Sequence, residues 1–191
     1  LAGTVAPELL CPDRRNQVIT LYLVRPLTTT DYIVSRWAAF VTTMLVVLWL
    51  PQLLVFATQT FVAGDTVGYV VDNLDLLPRI AASGAVFAVT LTTLVFFAAS
   101  FTDRRAYAAV GMLAIVLISI VVGGIMGDVL DGAAAERAQL VSVGGLLFGT
   151  NDWIFGEFDH DISPAAYVAV LASLVGLAGL VVWDRYRRLS L

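Results

Sequence analysis

Four stretches of about twenty apolar residues constrain this chain more than any other feature of its sequence. They lie at residues 37–57, 80–101, 107–127 and 164–183. Only Pro51 and Gln52 interrupt the apolar run of the first stretch, and the other three contain no charged residue. Because about 20 apolar residues in a helix cross the roughly 30 Å hydrocarbon core of a bilayer, the sequence predicts four membrane-spanning helices.

A fifth apolar stretch, at residues 140–148, is too short to cross a bilayer and predicts a re-entrant or interfacial helix. The fold class that follows is an all-α, polytopic membrane protein, with residues 1–191 as a single domain. The pairs Gly123-x-x-x-Gly127 and Gly145-x-x-x-Gly149 have the spacing of close helix contacts, although such spacing is also common by chance in glycine-rich spans.

The composition excludes several classes of function. Apolar residues make up 59% of the chain and charged residues 14%, whereas soluble domains have about 25% charged residues. All eleven basic residues are arginine, so the chain lacks the lysine of the phosphate-binding loop G-x-x-x-x-G-K-[ST] and is predicted to have no ATPase site of its own. One cysteine, Cys11, excludes an intrachain disulfide. Net acidity without lysine argues against a nucleic-acid partner.

A metal site or a hydrolase site would have to use His160, the only histidine, beside Glu157, Asp159 and Asp161. Residues adjacent in sequence rarely converge on one ion, and no G-x-S-x-G motif is present. We therefore expect no catalytic, cofactor-binding or metal-ligating residues. Hydroxyl groups within the spans either line a cavity or bond to the carbonyls of their own helices. They are Thr90, Thr92, Thr93 and Ser119.

The arginines predict which side of the membrane each loop faces. Nine of the eleven precede the first span, lie between spans two and three, or follow the fourth, and these regions share one side when the spans alternate. By the positive-inside rule that side is the cytoplasm. The opposite loops are acidic. The sequence thus predicts a multi-pass protein of the plasma membrane, with arginine-rich loops and the C-terminus in the cytoplasm, and the absence of lysine suggests a bacterial inner membrane.

The segment before the first span is amphipathic rather than membrane-spanning. Val18, Leu21 and Tyr22 share one face of a predicted helix that Pro26 ends. Such a helix would lie along the inner membrane surface, and the simplest interpretation is an interfacial anchor.

A second short helix is predicted to follow, with Thr30 or Asp31 as its cap, and to lead through Arg36 into the first span.

This segment resembles the first cytoplasmic loop of ATP-binding-cassette type-2 exporter permeases. In that loop a glutamate precedes a charged stretch, a helix ends in an apolar-Arg-Pro-Leu turn, and a tyrosine-containing helix enters the next span. The matching residues are Glu8, Asp13-Arg14-Arg15, Leu21-Tyr22-Leu23, Arg25-Pro26-Leu27, Asp31-Tyr32 and Arg36. Residues 100–106 resemble the second cytoplasmic turn of the family, and the stretch before the last span resembles its extracellular re-entrant region.

The resemblance implies a permease that works as one half of an exporter. The family has six spans, so residues 1–10 would be the end of the second span in an N-terminally truncated chain. A permease of this family associates with a second copy or a homologue, and each docks on a separate subunit that binds ATP. The resemblance assigns the coupling contact with that subunit to residues 13–25 and the turn that follows. The residues concerned are Arg14, Arg15, Leu21, Tyr22, Arg25 and Pro26.

Two alternatives belong to other classes. The chain could be a non-transporting membrane anchor or assembly factor that recruits a cytoplasmic partner. An intramembrane enzyme is disfavoured, because the sequence indicates no paired polar residues at bilayer depth.

Overall fold

The computed structural model describes residues 29–102, 104–130 and 133–189, and every regular element in these ranges is an α-helix. The long helices are α1 (Thr29–Val62), α3 (Leu76–Ser100), α4 (Arg105–Val129) and α7 (Pro164–Leu189). The short ones are α2 (Thr66–Asp72), α5 (Ala133–Gln139) and α6 (Val143–Phe155). All four long helices are long and apolar enough to cross a membrane. The prediction of an all-helical membrane protein with four spans is therefore confirmed.

The short helix predicted to lead through Arg36 into the first span is the first part of helix α1, which is uninterrupted and also continues through Pro51. Thr30 and Asp31 lie inside its first turn and do not cap a separate element; there the negative charge of Asp31 favours the helix start. Proline is tolerated in membrane helices because neighbouring groups compensate for the lost backbone hydrogen bond.

Helix α3 is the centre of the bundle. It packs against α1, α4, α6 and α7. In its most apolar window 56% of the residues are buried, against 17% in α1, 11% in α4 and 22% in α7. Small residues such as Ser83, Gly84 and Ala88 allow this close packing. The three outer helices consequently keep much of their apolar surface facing outward, which suits contact with hydrocarbon.

Two clusters of buried side chains form the core. One joins the first half of α1 to the last halves of α3 and α7 and the start of α4; it includes Phe40, Phe96, Met112 and Tyr186. The other joins α3 and α6 to the first half of α7; it includes Leu94, Leu147, Tyr167 and Leu171.

Helix α6 begins three residues later and ends seven residues later than the predicted short helix at 140–148. The hydroxyl of Ser142 accepts a hydrogen bond from the backbone N–H of Gly145 and caps the start. Gly156, at φ +82°, ends the helix, and the next backbone N–H donates to the carbonyl of Asp152. With 13 residues, α6 is about 20 Å long, too short to cross the hydrocarbon core.

Candidate functional site: an arginine-rich end, a glycine-lined cavity and an amide groove

All six residues of the predicted coupling contact lie outside the described residues, which begin at position 29. They are Arg14, Arg15, Leu21, Tyr22, Arg25 and Pro26. What the structure describes is the end of the bundle where α1 begins, next to that segment in the chain.

Three separate parts of the chain meet at this end. The indole N–H of Trp183, near the end of α7, donates a hydrogen bond to the hydroxyl of Thr30 at 3.3 Å. The guanidinium of Arg185 lies 4.6 Å from the centre of the Phe101 ring, at the end of α3. Trp37 in α1 donates to the hydroxyl of Thr93 in α3 at 3.1 Å. The start of α1, the turn between α3 and α4, and the end of α7 are thus neighbours.

The arginine-rich end, as we call this region, is positively charged. Its described basic side chains are Arg36, Arg104, Arg185, Arg187 and Arg188, and its described acidic ones are Asp31 and Asp184. Asp184 is paired with Arg188 at 2.8 Å on the surface, where such a pair contributes little to stability.

The guanidinium groups of several of these arginines lie over aromatic rings. Arg36 lies over Tyr32 at 5.1 Å, and Arg104 over Tyr107 at 5.7 Å. A cation over an aromatic face keeps its charge while its stem is packed. The arginine-rich end can therefore attract lipid phosphates or the acidic surface of a protein partner.

At the opposite end, a cavity of about 610 Å³ lies between α4, α5, α6 and the start of α7. Five glycines line this glycine-lined cavity: Gly124, Gly127, Gly144, Gly145 and Gly149. Three of the four glycines in the predicted pairs lie at close contacts. A Cβ at Gly123 would come within 2.6 Å of the Ser142 Cβ, one at Gly149 within 2.5 Å of the Tyr167 ring, and one at Gly145 against the Gln139 carbonyl.

His160 lies at the edge of this cavity. Its Nε2 is 3.9 Å from a carboxylate oxygen of Asp152, and its ring stacks on Tyr167 with the centroids 5.5 Å apart. Among the described residues, no group of three His, Cys, Asp or Glu side chains could hold a metal ion. In these surroundings the histidine is an aromatic packing partner of α7.

The four hydroxyl residues of the spans line neither the glycine-lined cavity nor the groove described next. Thr93 donates to the carbonyl of Val89 at 2.8 Å, and Ser119 donates to that of Val116 at 2.8 Å. Thr90 and Thr92 are buried in α3.

A groove of about 680 Å³ runs between α1, α2, α3 and α6. We call it the amide groove because three carboxamides face it, together with one serine. Its polar residues are Gln52, Gln59, Ser83 and Asn151. The remaining lining is apolar or aromatic: Pro51, Val55, Phe56, Tyr69, Leu76, Ile80 and Phe155.

Two interactions fix α6 against α3 beside the amide groove. The hydroxyl of Ser83 donates to the amide oxygen of Asn151 at 2.6 Å. The guanidinium of Arg79 donates to the carbonyl of Phe155 and also pairs with Asp75 at 3.2 Å. Arg79 thereby satisfies a carbonyl at the end of α6 that has no partner within the helix.

Sequence reasoning missed the amide groove as a site. Gln52 was visible as the polar break in the first span. The other polar residues that line the groove include Ser83 in α3 and Asn151 in α6, which lie 31 and 99 residues further along the chain. Comparisons of the chain with protein-family models, curated proteins and solved structures found no match. Function therefore has to be argued from the residues themselves.

Proposed function

We propose that the chain is the membrane-spanning permease subunit of an ATP-driven exporter. It would couple ATP hydrolysis in a separate subunit to movement of a substrate across the plasma membrane. It would work with a second copy or a homologous permease. The arginine-rich end and the C-terminus would face the cytoplasm.

The observation that carries the proposal is the sequence Arg25-Pro26-Leu27, whose last residue lies two positions before the start of α1. In the sequence it follows a stretch with amphipathic spacing, and α1 starts at the arginine-rich end. A motor subunit in the cytoplasm has to move the spans through a rigid element on that side. Leu21 and Tyr22 would insert into a groove of the motor, while Arg14, Arg15 and Arg25 would pair with its acidic groups or with lipid headgroups.

The composition supports a borrowed motor. The chain has no lysine and hence no phosphate-binding loop with its lysine. The four spans carry no charged side chain in their apolar windows, which suits a path for an amphipathic substrate better than a proton relay. In this proposal ATP is bound by the partner subunit alone.

The test uses the full chain, purified in a mild detergent with and without its ATP-binding subunit. Leu21→Asp and Tyr22→Asp place a charge in the apolar contact, so both should abolish copurification of that subunit and the stimulation of its ATPase activity. Thr20→Asp is the matched control, because helical spacing puts Thr20 on the opposite face; it should keep both.

Unchanged copurification and ATPase activity in the two charged variants would refute the coupling contact. If no ATP-hydrolysing subunit copurifies with the wild-type chain, even at low salt, the exporter proposal fails and the membrane anchor takes its place.

A further inference from the structure

The amide groove has the chemistry of a binding site for a neutral, hydroxyl-bearing headgroup on a lipid-like molecule. We propose that it binds such an amphiphile, of which a glycosylated lipid is the simplest representative. The inference names a substrate class for the proposed exporter and in that sense rests on the proposed function. Binding itself can be measured without the motor.

The depth of the groove is the first step. Gln52 lies 16 residues after Arg36 on the continuous helix α1, which at 1.5 Å per residue is about 24 Å. Gln59 is another seven residues on, at about 35 Å. If Arg36 marks the inner edge of a hydrocarbon core of roughly 30 Å, Gln52 lies inside that core and Gln59 at its outer edge. The groove then reaches from the interior of the bilayer to its outer interface.

The hydrogen-bonding capacity of the groove is the second step. Asn151 lines the groove and uses its oxygen to accept from Ser83, so its amide nitrogen remains available as a donor. The carboxamides of Gln52 and Gln59 have no hydrogen-bond partner among the described residues. Within hydrocarbon the Gln52 carboxamide costs free energy until something pairs with it, and Gln59 at the outer edge adds a second hydrogen-bonding group to the groove. An occupant with several hydrogen-bonding groups would satisfy these amides.

The lack of charge in the groove favours an occupant with a neutral headgroup. None of the described residues that line the groove is charged. Beside the groove, Arg79 is already engaged by Asp75 and by the carbonyl of Phe155, so a phosphate or an ammonium in the groove would lose its hydration without gaining a free counter-ion, which is unfavourable. Hydroxyls, in contrast, both donate and accept and therefore match carboxamides.

The apolar walls account for the rest of the occupant. Phe56 and Tyr69 form a tilted ring pair with the centroids 6.1 Å apart, and Phe155 lines the groove from α6. Such rings can pack on the apolar faces of a headgroup, and the aliphatic lining residues Val55 and Ile80 suit an acyl chain. A volume of about 680 Å³ is within the range of ligand sites, roughly 300–1,000 Å³.

A helix from a second copy of the chain could also occupy the groove and pair with its carboxamides, because carboxamides form hydrogen bonds between membrane helices. The experiment must therefore read lipid binding and oligomeric state together. Native mass spectrometry of the full chain, released from a polyoxyethylene detergent that contains no sugar, does both. The probes are synthetic monoglucosyl diacylglycerol, phosphatidylglycerol and diacylglycerol with identical acyl chains.

The glucosyl lipid should bind more tightly than the other two. Gln52→Leu and Gln59→Leu should each weaken its binding about five-fold, the effect of losing one hydrogen bond, and leave diacylglycerol unchanged. Gln139→Leu is the matched control, since Gln139 lines the glycine-lined cavity and not the amide groove; it should bind the glucosyl lipid like the wild type. Both test positions are at least partly exposed, so the variants should fold.

Equal binding of phosphatidylglycerol or diacylglycerol would overturn the inference, as would wild-type affinity in both glutamine variants. A shift from dimer to monomer in Gln52→Leu, with lipid binding intact, would assign that amide to a contact between copies and would also overturn it. These failures leave the exporter proposal standing if the ATP-binding subunit still copurifies. Loss of that subunit with selective glucosyl binding retained would refute only the transport role.

Discussion

Gly149 holds α6 against α7, and Gly149→Ala should destabilise the bundle. A Cβ at this position would lie 2.5 Å from the Tyr167 ring. The ring cannot easily move away, because Tyr167 is 1% exposed and packs against Phe158 at 5.6 Å and His160 at 5.5 Å between ring centroids. An added methyl group must therefore displace three aromatic rings or separate the two helices.

The expected size of the effect comes from two opposing terms. Overpacking a tight core costs about 1–3 kcal/mol, whereas replacing glycine by alanine inside a helix gains about 1 kcal/mol. The variant should thus lose about 0–2 kcal/mol in its free energy of unfolding. The matched control is Gly176→Ala in α7, where the added Cβ meets nothing within 4 Å. The control keeps only the gain, so the two variants should differ by about 1–3 kcal/mol.

The assay is unfolding of the full chain in mixed micelles with increasing sodium dodecyl sulfate, followed by circular dichroism. A second comparison isolates the contact. In a Tyr167→Leu background the ring is gone, so Gly149→Ala should cost less than it does alone, as a double-mutant cycle measures. Equal stability of the Gly149→Ala and Gly176→Ala variants would refute the argument from close approach, and so would an unchanged cost in the Tyr167→Leu background.

Two further predictions follow from the short elements and from the charges. Ser142→Ala should lower the free energy of unfolding by about 1 kcal/mol, because it removes the cap of α6, while Ser142→Thr, which keeps the hydroxyl without adding a charge to this buried position, should retain most of it; equal losses in both variants would contradict the capping role. The orientation can be tested in the Cys11→Ser variant, which lacks the chain's one cysteine. Expressed in intact cells with one new cysteine each, Asp159→Cys should be labelled by a membrane-impermeant maleimide from outside, and Thr102→Cys only after permeabilisation. Labelling of both from outside would refute the predicted orientation.

The spans were predictable because their signal is local. A run of about twenty apolar residues specifies a membrane helix whatever it packs against. The ends of elements depend on more than apolarity. Helix α6 was placed too early because the apolar run at 140–148 includes the turn before Ser142 and omits the polar residues that continue the helix to Phe155. Its end is set by Gly156 in a left-handed conformation, a signal that hydropathy does not contain.

The predicted cap residues, Thr30 and Asp31, lie inside α1 rather than at its start, for a related reason. Thr30 and Asp31 are good capping residues, but a favourable cap does not force a helix to start there when the preceding residue is also helical. The sequence did not show which residues of different helices are in contact. The spacing of Gly145 and Gly149 indicated a close contact, but not that the contact is made with the carbonyl of Gln139 and the ring of Tyr167.

Helix α1 connects the two regions to which we assign function. It begins at the arginine-rich end, directly after the proposed coupling turn, and about 24 Å further on it presents Gln52 to the amide groove. Because the helix is continuous, a displacement of its start is transmitted to that wall of the groove without an intervening loop. Helix α3 provides the opposite wall with Ser83 and packs on every other span. Movement of α1 against α3 would therefore change the width of the groove.

The contacts between α1 and α3 change along the length of α1. Near the arginine-rich end, Trp37 donates a hydrogen bond to Thr93, and Phe40 lies 6.2 Å from Phe96 between ring centroids. Further along, the indole of Trp49 donates to the carbonyl of Ala81 at 3.3 Å and lies over Gly84, where a Cβ would overlap it. Pro51 follows two residues later and cannot form the usual helical hydrogen bond, which makes this the level at which α1 bends most easily. The segment beyond it carries both glutamines of the groove, so the share of a displacement of the first half of α1 that reaches the amide groove depends on how far the helix bends at Pro51.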